Sequence, residues 1–207
     1  MLLDAVVLSL IVGLAAGGRP GRLAALDLRA VWLFVLAAVV RVALDVLGVR
    51  GSEQAVRVGP WLSFACYVLL LIAFWLNRRH WPMRVVAAGV LLNLLVVAAN
   101  GGAMPVDRAL AARSAPAQLV KLLDDPRYVV HKPVTDSTRL AVLGDVLPLP
   151  MVPFPWPRSH PLRPTYYSPG SIGDVIITLG ACALVLVGLG AFGLGRRAPA
   201  PVERGSP

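Results

Sequence analysis

Charged residues are scarce in this sequence, at 15% of the chain against about 25% in soluble domains. Long apolar runs take their place, and the mean hydropathy is +0.71. This composition excludes an ordinary soluble domain and predicts an all-α, multi-pass protein of the cell membrane, with the lipid bilayer as its partner. The formal net charge of +9 would suggest nucleic acid in a soluble protein. Here many arginines flank apolar runs, where they fix orientation, so we predict no nucleic-acid partner.

Cysteines are also few, and the spacings that bind metals or phosphates are missing. Cys66 and Cys182 both fall inside apolar runs, which predicts buried small side chains and no disulfide. His80, His131 and His160 are isolated from one another and from the cysteines. The sequence has no P-loop, no GxSxG elbow and no GxGxxG turn. We therefore predict neither a metal site nor a cofactor.

Apolar segments indicate about five transmembrane helices, over residues 5–16, 30–48, 60–76, 85–99 and 172–194. The first is short, but it lacks basic residues before it and a cleavage site after it, so we predict a retained helix rather than a signal peptide. Basic residues gather in the turns at 19–29 and 78–84 and after residue 195. The positive-inside rule then places the N-terminus outside and the C-terminus inside.

Residues 101–170 contain no apolar run of spanning length and are rich in proline. We predict a long outer loop region within a membrane domain of residues 1–195, followed by a disordered cytoplasmic tail at 196–207. Residues 109–124 are predicted to form one short amphipathic helix. The apolar, proline-broken stretch 140–156 is expected to pack against the bilayer or the helices.

Two charges lie within the second predicted span. Arg41 and Asp45 are four residues apart and so are neighbours on one helical face. Charges within a span are costly and usually paired or facing a cavity. We predict a structural ion pair, with the alternative that the pair lines a functional pocket.

Two asparagines mark one face of the fourth predicted span. Asn93 and Asn100 are seven residues apart, and an unpaired amide in hydrocarbon costs several kcal/mol. This face is therefore expected to meet other helices or a polar pocket at the outer boundary.

Two aspartates are the candidate catalytic residues on the same outer side. Asp145 follows Gly144 in an apolar stretch, and Asp174 lies three residues after Ser171 at the start of the last span. Two close carboxylates can share a proton and activate water. The alternatives are structural: turn chemistry at Asp145, and a helix cap formed by Ser171 and Asp174. Arg139 is expected to pair with Asp145 or to bind a phosphate.

Three motifs carry a resemblance to a known family. They are AANGGAMPV at 98–106, TRL with LGDVLPLP over 138–150, and SIGDV at 171–175. Together they resemble a bacterial integral-membrane family that is catalogued as a domain of unknown function, number 5317. The similarity covers nearly the whole chain and implies a fold but no activity.

A weaker similarity is to signal peptidase II, an aspartyl peptidase that trims bacterial lipoproteins. Asn100-Gly101-Gly102-Ala103, Gly144-Asp145 and Gly173-Asp174 are similar to its motifs in order and type. The chain departs from that family in the Gly144–Asp145 spacing, in the long proline-rich loop, and in Ser171, which replaces an asparagine. The similarity implies catalysis by Asp145 and Asp174.

Two hypotheses of function follow. The first is a non-enzymatic membrane protein, acting as a scaffold, a partner subunit or a small-ligand binder through an outward-facing pocket of Asn93, Asn100, Arg139 and Ser171. The alternative is an aspartate-dependent hydrolase of a lipidated or membrane-embedded substrate. Both hypotheses place Asp174 within about 4 Å of Asn100 or Asp145, directly or through one water.

Overall fold

The protein is described by a computed structural model over residues 2–49, 53–114, 117–128, 130–150 and 167–193. The predicted tail at 196–207 and residues 151–166 of the predicted outer region lie outside the described residues. The described chain is mostly helical. Its helices are α1 (Leu2–Ala15), α2 (Pro20–Ala24), α3 (Val31–Val49), α4 (Glu53–Leu76), α5 (Trp81–Ala99), α6 (Arg108–Ser114), α7 (Ala117–Leu122) and α8 (Ile172–Leu189).

Three of the described helices are long and apolar enough to cross a membrane, over Val56–Leu76, Trp81–Ala99 and Ile172–Leu189. The helix α1 is apolar but shorter. The boundaries differ most from the sequence prediction at two ends. The helix α4 begins before Pro60 and carries it inside the helix, although proline is more typical of a first turn. The helix α8 ends earlier than predicted because Gly190 adopts φ +67°, a left-handed conformation that stops a helix.

Five helices form a single row in the order α1, α8, α5, α4, α3. The helix α5 lies in the middle of this row, and nine of its 19 residues are buried. The contact between α5 and α8 is close because glycines face each other. A Cβ added at Gly89 would lie 2.5 Å from the carbonyl oxygen of Gly173. Small residues of this kind let two helix backbones approach within a membrane.

The region between α5 and α8 is a folded cap, which we define as the described part of residues 100–171. It contains two short β-ladders, so the predicted all-α fold with an irregular loop is incomplete here. The strand β1 (Met104–Val106) pairs in parallel with β2 (His131–Pro133), and β3 (Leu147–Pro150) pairs antiparallel with β4 (Tyr167–Gly170). Prolines lie in all four strands, and each proline lacks the N–H that a ladder hydrogen bond requires, which keeps the ladders short. The single amphipathic helix predicted at 109–124 is instead the two short helices α6 and α7.

Two apolar clusters hold the cap in place. Val96 and Val97 of α5 pack with Met104 of β1, and Tyr67 and Leu143 pack against this cluster. The cap has a second cluster of its own, formed by Val106, Ala111 and Leu123 with Tyr128 packed against it. The first cluster therefore fixes the cap to α4 and to the end of α5, and its polar residues are held at defined places relative to the helices.

Candidate functional site

The first polar group lies between α5 and α8 at the start of α8. The Ser171 hydroxyl accepts a hydrogen bond from the Asp174 backbone N–H (2.9 Å), and Asp174 Oδ2 accepts one from the Ser171 N–H (3.0 Å). This is a capping box, which satisfies two amide donors that a helix start otherwise leaves unpaired. The Asn93 amide completes the group, because it donates to Asp174 Oδ1 (2.9 Å) and accepts from the Ser171 hydroxyl (2.9 Å).

Every polar side-chain atom of this Asn93–Ser171–Asp174 group has a hydrogen-bond partner. Each carboxylate oxygen of Asp174 accepts a hydrogen bond, and the Asn93 side chain uses both its oxygen and its nitrogen. Asn93 is 5% exposed and Ser171 is fully buried. Burial of polar groups at this depth is tolerated because every one of them has a partner. The group thus joins α5 to the start of α8 through side-chain hydrogen bonds.

Asn100 lies elsewhere, at the end of α5. Its amide nitrogen donates to the Val96 carbonyl and to the Arg139 carbonyl, both at 2.8 Å, and its oxygen accepts from the Arg139 N–H at 3.0 Å. The side chain thus attaches the segment before the 3-10 turn Ala141–Leu143 to the helix end. Within the described residues, no hydrogen bond or ion pair joins Asn100 to Asp145 or Asp174.

Asp145 takes part in a different group, formed inside the cap. The strand β1 lies between β2 and the Asp145 backbone, which bridges to Val106 and receives a hydrogen bond from the Asp107 N–H (3.0 Å). This arrangement brings Asp145 Oδ2 to 4.0 Å from His131 Nε2. The other His131 ring nitrogen, Nδ1, lies 3.0 Å from the Tyr128 hydroxyl, and the two rings stack.

One atom of this group lacks a partner. Asp145 Oδ1 is buried and has no hydrogen-bond partner among the described residues. Burial raises the pKa of Asp145 to about 7, with a smaller contribution from the Asp174 carboxylate. Burial likewise lowers the pKa of His131 to about 4. The cap therefore holds a carboxyl group that keeps its proton well above the usual range of aspartate.

Each aspartate lines its own cavity. Asp145, His131 and Tyr128 line a cavity of about 220 Å³ whose remaining wall is largely apolar. Asp174 lines a separate cavity of about 170 Å³ beside α8. Ser168 and Pro169 of β4 line both, so one strand lies between the two acids. The described residues contain no group of three or more side chains suited to hold a metal ion.

The two predicted ion pairs differ in outcome. Arg41 Nε lies 3.4 Å from Asp45 Oδ2 within α3, and both side chains are partly exposed. The Arg41 charge also lowers the pKa values of His131 and Asp145, as a smaller effect beside burial. Among the described residues, Arg139 and Asp145 have other partners than the predicted pairing. Asp145 faces His131, and Arg139 is held through its backbone by Asn100.

Tyr128 and His131 were not predicted from the sequence as site residues. Their spacing of three residues was a weak signal, because it gains meaning only when β2 pairs with β1 next to Asp145. Asn77, which follows the last residue of α4, was not predicted either. Its buried amide bonds both the N–H and the carbonyl of Arg29, at 2.7 and 2.8 Å.

Comparison with known proteins gives a family and no activity. No curated protein matches the chain, and no solved structure matches it. A family model matches residues 25–186, which includes α3, α4, α5, the cap and most of α8. The chain belongs to this family, a family of unknown function (DUF5317).

Proposed function

We propose that the chain is a five-span protein of the bacterial cell membrane whose outward-facing cap binds a small ligand without catalysis. The spans would be α1, α3, α4, α5 and α8. Three of them have the length and hydropathy of spans, and α1 and α3 are the apolar neighbours that extend the same row. Arg78 and Arg79 in the turn between α4 and α5, and Arg84 at the start of α5, lie on the side of the helices opposite the cap. Because basic residues favour the inner side of the membrane, this supports a cap outside and a basic turn inside.

This topology has a direct test in intact cells. With Cys66 and Cys182 replaced by alanine, a cysteine at Ser137 should react with an impermeant thiol reagent, because Ser137 is exposed on the cap. A cysteine at Arg78 should react only after the membrane is permeabilised. Labelling of position 78 from outside would reverse the proposed orientation.

The observation that supports ligand binding is the buried, unpartnered Oδ1 of Asp145, a residue that lines the cap cavity. A buried carboxyl oxygen without a donor costs roughly 1–3 kcal/mol, so a ligand that donates to it recovers this cost. The other walls are supplied mainly by Val106, Ala111, Val120 and Leu123. A mixed cavity of this kind suits a small molecule with an apolar body and one hydrogen-bond donor.

The hydrolase hypothesis has less support. It requires two neighbouring carboxylates that share one proton and activate water. Both oxygens of Asp174 already accept hydrogen bonds, from Asn93 and from the Ser171 N–H. Asp145 lines a different cavity on the other side of β4. A binding role needs no rearrangement of Asp145 or Asp174, and we therefore favour it.

The test uses compounds of one ring, since an apolar cavity of about 150 Å³ suffices for benzene. Benzylamine and benzamide carry a donor, and phenylacetate is the matched anion without one at neutral pH. We expect the two donors to raise the melting temperature of the detergent-purified protein and of the control Ser137→Ala, because binding to the folded state stabilises it. Asp145→Ala should show no such shift. Equal shifts in Asp145→Ala, or none in the wild type, would overturn the proposal.

A further inference from the structure

A basic cavity lies on the side of the helices opposite the cap, where α4 ends and α5 begins. It has a volume of about 430 Å³ and is lined by Leu76, Arg29, Arg78, Arg79 and Arg84. The turn between α4 and α5 contributes Arg78 and Arg79, the start of α5 contributes Arg84, and the segment before α3 contributes Arg29. No part of the proposed cap site contributes to this cavity.

A buried amide fixes the position of one of these arginines, Arg29. Asn77 is 0% exposed, and its side chain bonds the Arg29 N–H, the Arg29 carbonyl and the Ala73 carbonyl. This fixes the backbone of Arg29 against the end of α4. Arg78 is also positioned, because its guanidinium lies 4.4 Å from the centre of the Trp75 ring and donates to the Trp75 carbonyl.

The positive charge of the cavity is only partly compensated. Arg79 Nη2 forms an ion pair with Asp27 Oδ2 at 2.6 Å. Among the described residues, the guanidinium groups of Arg29, Arg78 and Arg84 form no ion pair. Like charges gathered around one cavity repel, and a bound anion relieves that repulsion. Phosphate is the anion that several guanidinium groups bind best, through charge-assisted hydrogen bonds.

Two tryptophans place the cavity at the depth of lipid headgroups. Trp75 and Trp81 flank the turn, and their side chains are 65% and 49% exposed. Exposed tryptophans at the ends of spans lie at the membrane–water interface. Leu76 adds an apolar wall to the cavity. The arginines therefore lie where a lipid presents its phosphate, with apolar surface beside them for the acyl chains.

We propose that this cavity binds the phosphate of an anionic phospholipid in the leaflet opposite the cap. Basic pockets between transmembrane helices are a recurrent way to bind such headgroups. The inference rests on the chain being a membrane protein. It is independent of the ligand in the cap, because the two cavities lie at opposite ends and share no residue.

The test compares lipids of one acyl composition by native mass spectrometry of the detergent-purified protein. We expect the wild type to retain dioleoyl-phosphatidylglycerol in preference to dioleoyl-phosphatidylcholine. Arg78→Gln/Arg84→Gln should weaken phosphatidylglycerol binding about thirtyfold, at about 1 kcal/mol for each basic residue. The matched control Arg113→Gln/Lys121→Gln removes two exposed basic residues from the cap and should bind as the wild type does.

Three outcomes would overturn the proposal. Equal retention of both lipids by the wild type would show that the protein does not distinguish lipids by headgroup charge. This result can be obtained without any variant. Equal weakening in the control double variant would show that net charge alone attracts the lipid. Displacement of the lipid by millimolar inorganic phosphate, with no preference for the acylated form, would assign the site to free phosphate.

Discussion

Asn77 and Asn100 make the same set of hydrogen bonds, one beyond the end of α4 and the other at the opposite side of the helices, beyond the end of α5. Each follows the last residue of a helix, donates to the carbonyl four residues earlier, and bonds both the N–H and the carbonyl of a distant arginine. Asn77 thereby attaches the segment before α3, and Asn100 attaches the cap. An asparagine side chain suits this task because it offers an acceptor and two donors in one plane.

The two asparagines should nevertheless differ in their contribution to stability. Asn77 is fully buried, whereas Asn100 is partly exposed. Asn77→Ala removes a fully buried amide and leaves the N–H and the carbonyl of Arg29 without their partner, and each such group that water does not reach costs about 1–3 kcal/mol. Water replaces part of what Asn100→Ala removes. We expect Asn77→Ala to lower the melting temperature in detergent clearly more than Asn100→Ala does, and equal losses would contradict this assignment.

Gly173 tests the contact between α5 and α8. A Cβ at this position would collide with Asn93 Oδ1 and would lie 2.7 Å from the Gly89 carbonyl oxygen. Gly173→Ala should therefore separate the helices, break the hydrogen bond from Asn93 to Asp174, and reduce the folded yield by a large factor. The control is Gly21→Ala, because an added Cβ at Gly21 meets no atom within 4 Å. A folded yield for Gly173→Ala close to that of Gly21→Ala would show that the interface is looser than the structure indicates.

The pair of Arg41 and Asp45 tests the cost of charge within α3. Removing one partner leaves an uncompensated charge in an apolar helix, at about 3–5 kcal/mol when the pair is buried and less here, since both side chains are partly exposed. Asp45→Asn should thus reduce the folded yield more than Arg41→Met/Asp45→Leu, which removes both charges. If the double variant is damaged as much as the single one, the pair does not act as a unit.

The sequence predicted those features that depend on local pattern. Apolar runs gave the helices, and the Ser171-x-x-Asp174 spacing indicated the capping box that begins α8. An amide in an apolar run also indicated that Asn93 needs a partner. The group of Tyr128, His131 and Asp145 could not be predicted in this way. It forms because β1 pairs on both sides, and pairings between distant segments leave no local spacing to recognise.

The pH dependence of stability tests the cap group, and its direction follows from proton counting. Burial raises the pKa of Asp145 to about 7 and lowers that of His131 to about 4, against ordinary values of about 3.9 and 6.5. Between pH 4 and 6.5 the folded pair holds one proton, whichever of the two residues carries it, and the unfolded pair also holds one, on histidine. Nearby Asp174, Arg41 and Tyr128 remain in every variant. The pair in the wild type therefore contributes almost no slope in this range.

Single substitutions should expose two opposite slopes. In His131→Gln the folded state alone holds a proton, on Asp145, so stability falls as pH rises from about 4 to 7. In Asp145→Asn the unfolded state alone holds a proton, on His131, so stability rises from about pH 4 to 6.5. One proton gives at most about 1.4 kcal/mol per pH unit. Melting temperatures of the purified protein, taken as differences from the wild type, measure both slopes. The double variant is the control, because it removes both groups and should return to the flat profile. Parallel profiles for all four proteins would mean that the two side chains titrate as they do in water, and the buried pair in the cap would then not exist.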